Sequence, residues 1–364
     1  MTDPTPAPAS DIAADEVRTA IADFLAGGAP AAEVRDVAEG RTAGFDVERW
    51  RRLALGVGVG ELVVPRSFGG LGAGLSVAAA AIEAAALAGS PAPVRATLTA
   101  AAIGATSSDP PAEMLARVAT DAAVATVAVD SDGAVDYDHG AGTVSGRLPV
   151  VTDAPAADYL VVVPVADDVP VLVVDLSAAA VSVSRLPAVD VTHGYGAVDL
   201  DHAPAITLPD VPGAQALDTV RVLVAAELLG VARGALRMAV EYASTREQFG
   251  RVIGTYQAVS HRLADTVVDI EGCAALLDGA LTSVEHSPYG TTPLPPLAVA
   301  LAARSAMAAT DTAIATLGGI GFTWEHDAHF WFRRARAVSV ELGTPDSLEQ
   351  VAVRRGGWAE VMTG

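Results

Sequence analysis

The chain has 364 residues, 51% of them apolar, and a formal net charge of −21. That length suggests two or three domains with sizeable cores. The acidic excess repels nucleic-acid phosphates and anionic lipid surfaces, so neither is expected as a partner, and any anionic ligand must be met by local arginines because lysine is absent. The single cysteine, Cys273, permits no intrachain disulfide and no cysteine zinc cluster, and no metal site is expected. Met1 to Ser10 lacks the basic and apolar regions of a signal peptide, and Leu75 to Gly89 is short and interrupted by Glu83. The expectation is a cytoplasmic protein without membrane insertion.

In chain order, residues 1–10 read as a disordered tail. Residues 11–122 read as a helical domain: Ile12, Val17, Ile21 and Phe24 recur at helical spacing, and Asp46 is placed to cap the segment carrying Trp50 and Leu53. Pro65 to Gly72 reads as a loop before an Ala-rich helix from Ser76 to Leu87. Residues 123–211 change character. Val124–Val129, Tyr159–Val165, Val171–Leu176 and Val181–Leu186 are β-branched runs separated by Asp, Gly and Pro, which predicts a small antiparallel β-domain. Residues 212–364 return to helical periodicity in long segments over Thr219–Ser244, Gln257–Ser287 and Pro295–Gly318. Helices, then strands, then helices predict an α+β fold with segregated domains.

Four ordered segments resemble the acyl-CoA dehydrogenase family. Val64-Pro65-Arg66-Ser67-Phe68-Gly69-Gly70-Leu71-Gly72 is similar to the glycine loop of its amino-terminal domain. Gly146 to Ala154, followed by Ala157-Asp158-Tyr159, resembles the strand and turn beside the flavin ring, with Thr152 at the flavin-contacting threonine. The most specific is Arg246-Glu247-Gln248-Phe249-Gly250 through Gln257, which resembles the family's R-x-x-F-G-x-x-[IL]-x-x-x-Q signature. Leu317-Gly318-Gly319-Ile320-Gly321 resembles a glycine loop on the adenosine side, and Gly343-Thr344 keeps step with the last helices.

The resemblance implies an acyl-CoA dehydrogenase-like fold: an N-terminal helical domain, a small middle β-domain and a C-terminal helical bundle. It also implies FAD as cofactor, held by Arg246, Phe249, Gln257, Thr152, Gly318, Gly319 and Thr344. The implied reaction is α,β-desaturation of an acyl-CoA thioester. The implied partners are an electron-transfer flavoprotein acceptor and further subunits of a homo- or hetero-tetramer. An arginine fork suits a pyrophosphate because it makes paired, charge-assisted bonds.

The sequence departs from the family where the catalytic base belongs. Most members of the family place a glutamate before a Gly-Thr pair, and here Leu342 precedes Gly343-Thr344; a branch instead places it before an arginine of the first long helix, and here Val220 precedes Arg221. The nearby carboxylates are Glu227, Glu341 and Glu325. Glu227 ranks first because it lies in an apolar run, where a carboxylate is either buried and perturbed or turned to an interface. Two readings therefore stand: a dehydrogenase with a relocated base, or a catalytically incomplete subunit of a heterotetrameric acyl-CoA dehydrogenase that completes the FAD site of an active partner.

Overall fold

In the computed structural model, which describes residues 13–27, 30–39, 41, 44–165, 169–286 and 292–357, the chain begins with helices. These are α1 (Ala14–Ala26), α2 (Pro30–Ala38), α3 (Val47–Arg51), α4 (Leu75–Leu87), α5 (Val94–Ala105) and α6 (Ala112–Asp121). The tail expected over residues 1–10 lies outside the described residues. Val17, Ile21 and Leu25, four residues apart, form the buried stripe of α1. The Asp46 carboxylate accepts from the Glu48 and Arg49 amides and starts α3, as the sequence predicts. Gly69, at φ +89°, closes the turn after Phe68, and a side chain on Gly70 would overlap the Val64 carbonyl. The chain then enters α4, whose residues Val77 to Ala86 are all buried.

The strands follow: β1 (Ala125–Asp130), β2 (Val135–Asp138), β3 (Thr143–Thr152), β4 (Tyr159–Pro164), β5 (Val171–Asp175), β6 (Val181–Leu186) and β7 (Tyr195–Leu208). They make one seven-stranded sheet in the order β1-β4-β5-β7-β3-β2, with β6 also on β7. The 14-residue β7 joins its two halves, pairing with β3 and β6 through its first part and with β5 through Ala205–Leu208. Side-chain alternation splits β4 between two cores: Leu160 and Val162 face a core within the β-domain, whereas Val161 and Val163 join the helices. The expectation of a wholly antiparallel domain is corrected at one edge. β1 and β4 are parallel, in register from Ala125↔Tyr159 to Asp130↔Pro164. Parallel neighbours need a long crossover, and here the β2–β3 hairpin and the turn after Thr152 supply it.

The bundle contains α7 (Gly213–Thr245), a short hairpin of β8 (Glu247–Gln248) and β9 (Arg251–Val252), α8 (Gln257–His286), α9 (Leu294–Leu317), α10 (Ala328–Val338) and α11 (Pro345–Arg355). The segment Leu294–Phe322, which contains α9, is long and apolar enough to cross a membrane, yet 67% of its most apolar window is buried inside the protein. It is the central helix of the bundle. Buried Asp218 on α7 binds Arg355 of α11 at 2.8 and 2.9 Å and fixes the last helix. Helices α4 and α7 approach closely because Gly230 has no side chain. A Cβ there would overlap the Glu83 carbonyl and lie 2.8 Å from the Ala86 methyl. Gly230→Val is expected to cost about 1–3 kcal/mol by overpacking, measured by urea unfolding, with the helix content of the folded variant unchanged.

Candidate functional site

Glu227 is the charged member of a buried α7 run, Val222 to Leu229, and is itself 0% exposed. A carboxylate so placed requires paired cations and hydrogen bonds, and the fold brings three cations to it. Arg334 of α10 donates from Nε to Glu227 Oε1 at 2.5 Å and from Nη1 to the Ser90 carbonyl at 2.8 Å. His193, in the segment before β7, places Nε2 2.7 Å from the same oxygen. Arg95, in the first turn of α5, sets Nε against Oε2.

The network continues at both ends. His193 Nδ1 lies 3.2 Å from Asp153 Oδ2. Asp153 follows β3 in the left-handed conformation (φ 59°), and its Oδ1 accepts the Gly194 amide at 2.9 Å. At the other end, Arg95 Nη1 and Nη2 each donate to Glu341 at 2.9 Å, a two-point guanidinium–carboxylate pair. Beside it, Asp190 accepts Thr192 Oγ1 at 2.7 Å and Tyr195 Oη at 3.1 Å, which are neutral donors.

The charges set the proton positions. Burial favours neutral imidazole, but Glu227 and Asp153 on the two ring nitrogens outweigh it and push His193 up to about 10. Both nitrogens therefore carry protons. Burial alone would raise Glu227; Arg334, Arg95 and His193 instead hold it well below the usual carboxylate range. Because the His193 pKa is raised from 6.5 to about 10, its stabilisation is complete below pH 6.5 and lost as pH rises through 10. Urea midpoints are expected to fall between pH 7 and 10, and His193→Gln is expected to flatten that alkaline limb.

A cavity of about 330 Å³ adjoins the network, lined by β1 (Thr126–Val129), Val150, Thr152, Tyr195, Arg95, Thr99, Val220, Val340, Glu341 and Leu342. It gathers the two aligned base positions, Val220 and Leu342, with Thr152 and Glu341. Val150 and Val340, 61% and 57% exposed, form its apolar rim. Glu227 does not reach this wall; Arg95 stands between it and Glu341. Among the described residues, no group of three or more His, Cys, Asp or Glu side chains is arranged to hold a metal ion.

The remaining predicted residues lie elsewhere. Arg246, Phe249 and Gln257 are on the surface around the β8–β9 hairpin. The turn residues Phe249 and Gly250 both have positive φ, 52° and 79°, the pattern of a type I′ hairpin turn. Phe249 is 95% exposed, so an aromatic ring is presented to solvent from a backbone conformation that disfavours it. The Arg246 guanidinium has no hydrogen bond or ion pair among the described residues. Gly318 and Gly319 are exposed, with open space where a Cβ would stand, beside Phe322 (79% exposed) and Trp324 (52% exposed). Thr344 caps α11, accepting the Ser347 amide at 3.2 Å. Sequence reasoning missed Arg95, Arg334 and His193 as Glu227 partners, and Asp153 as the second partner of His193. The available signal was Arg95, the sole charge in the run Val94 to Gly104.

A helical domain, a sheet rolled about a long strand and a helical bundle, with a cavity where the three meet, define an acyl-CoA dehydrogenase-type fold. Comparison with known proteins agrees. The family profile "Acyl-CoA dehydrogenase, C-terminal domain" matches residues 213–356. Acyl-CoA dehydrogenase IpdE2 of Mycobacterium tuberculosis is 32% identical over 90% of this chain and 92% of its own length. Acyl-CoA dehydrogenase FadE34 of the same organism is 34% identical over 90% of this chain, which spans only 46% of that relative. A solved chain of the Tcur3481-Tcur3483 steroid ACAD superposes with a TM-score of 0.84 at 28% identity, covering 96% of this chain and 99% of that one. The chain belongs to the acyl-CoA dehydrogenase family, FAD-dependent oxidoreductases of lipid metabolism that typically form tetramers.

Proposed function

We propose that this chain is a subunit of a heteromeric acyl-CoA dehydrogenase and completes the FAD site of a catalytically active partner. One observation carries the reading. The cavity wall bears Val220 and Leu342 at the aligned base positions, and the adjacent carboxylate, Glu341, has both oxygens on Arg95. Losing a positioned base costs about 10²–10⁴-fold in rate, which leaves this pocket poorly equipped for desaturation. The two-chain name of the Tcur3481-Tcur3483 relative supports a mixed assembly.

The surface around the hairpin fits a cofactor shared with another chain. Phe249 is exposed and strained, Arg246 lacks a partner among the described residues, and Gly318 and Gly319 leave open space. Arg246 would neutralise the FAD pyrophosphate, Phe249 and Gln257 would pack and bond its adenosine side, and Gly318 and Gly319 would admit it close to the backbone. When bound, FAD supplies acceptance of the β-hydride from an acyl-CoA. The partner would supply the base that removes the α-proton, and an electron-transfer flavoprotein would take the electrons onward. Thr152 and Thr344 belong to this chain's own cavity wall and to the α11 cap, respectively.

The second reading, desaturation in this chain's own pocket, has one observation in its favour: Glu341 lies in the cavity wall. It requires Glu341 to leave Arg95. Visible spectra of the chain purified alone and with a neighbouring family member separate the two. The subunit reading expects a colourless lone chain and a yellow, active pair. A lone chain carrying full flavin that acyl-CoA bleaches would overturn it.

A further inference from the structure

We infer that the Arg95 fork is a carboxylate-binding seat in the cavity, filled by Glu341 until a ligand acid replaces it. The seat is built without Glu341. Arg95 is 7% exposed and its Nε is in ion-pair contact with Glu227, which Arg334 and His193 hold by hydrogen bonds. Its two terminal nitrogens make parallel 2.9 Å bonds to one carboxylate, a geometry suited to an acid rather than to a lone carbonyl.

Charge gives the second argument. Apart from Glu341, the contacting buried groups are three cations (Arg95, Arg334 and protonated His193) and two carboxylates, Asp153 and Glu227. One positive charge is left over among these direct contacts; the buried Asp190 carboxylate nearby meets only neutral donors, so the Arg95 fork is open to one more anion. Glu341 supplies it from the short link between α10 and α11, where its side chain is 24% exposed and bonds only Arg95 among the described residues. It can turn to solvent while Arg95 stays in place.

The rest of the cavity identifies the ligand class. Val127, Val129, Val150, Val220 and Leu342 line about 330 Å³ next to the fork, room for an apolar chain or ring attached to the acid. The ligand is therefore an amphipathic carboxylate, either a free acid or the far end of an acyl chain whose other end is a thioester.

Calorimetric titration tests this on the whole chain, without flavin or partner, so its result is separable from that of the subunit assignment. The probes are hexanoate, its uncharged analogue hexanamide, and the mono-CoA thioester of adipic acid. If Glu341 vacates the fork less than a tenth of the time, its removal tightens ligand binding about tenfold or more. Glu341→Ala is expected to bind hexanoate at least about tenfold more tightly than wild type and to ignore hexanamide. Arg95→Lys in the Glu341→Ala background is expected to lose most of that gain, because an ammonium cannot offer the fork. Binding of adipyl-CoA as well assigns the seat to an acyl terminus; binding of hexanoate alone assigns it to a free acid. A folded Glu341→Ala chain, by circular dichroism, that takes up none of the probes, or takes hexanamide as readily as hexanoate, overturns the inference.

Discussion

Glu227→Gln is expected to lower the unfolding free energy by about 3–5 kcal/mol, the range for breaking a buried charge pair by removing one partner. The amide keeps the shape and removes the charge, leaving Arg95, Arg334 and protonated His193 around a neutral group that is 0% exposed. Glu341→Gln removes a carboxylate that is 24% exposed and can be replaced by solvent, so its effect should be clearly smaller. Urea unfolding of the two variants at pH 7 makes the comparison. A Glu227→Gln chain as stable as wild type but unable to turn over substrate would make Glu227 a base after all.

The second large effect concerns the hairpin. Arg246→Ala should reduce flavin retention in the co-purified assembly by about 10–100-fold, because bonds to charged groups contribute about 1.5–3 kcal/mol. Phe249→Gly should act with opposite signs on two readouts. Glycine relieves a left-handed backbone at φ 52° and removes a ring that is 95% exposed, so the lone chain should gain about 1 kcal/mol. The assembly, deprived of the ring, should hold flavin less well. Flavin absorbance per assembly and thermal melting of the lone chain report the two effects separately. A Phe249→Gly chain that is less stable alone would mean that the turn is shaped by contacts within its own subunit.

Local rules made much of the architecture legible. Asp46 signals its helix start through a side chain that reaches amides two and three residues ahead. The β-branched runs mark strands because alternation acts residue by residue. The parallel pairing of β1 with β4 was not legible, since turn residues between the runs favour hairpins and nothing local reports a crossover. The candidate site divides the same way. Glu227 stood out as a carboxylate in an apolar helix. Arg95, His193 and Arg334, which lie 132, 34 and 107 positions away, have ordinary neighbours in sequence, and their convergence is a property of the fold alone. The cavity wall was visible through its missing glutamates at Val220 and Leu342 and through Thr152 and Glu341; Arg95 facing Glu341 is again a long-range contact.

The ionic network draws one member or more from each part of the chain. Arg95 comes from the first helical domain, Asp153 and His193 from the β-domain, and Glu227, Arg334 and Glu341 from the bundle. Pulled apart, the first domain would keep a stranded cation and the bundle an unmatched negative charge. Electroneutrality is reached when the first domain docks on the bundle, and the β-domain adds its own balanced pair, His193 and Asp153, to the same site. The junction thus acts as an assembly checkpoint, under which the chain should melt in one cooperative step and separately expressed fragments should resist folding.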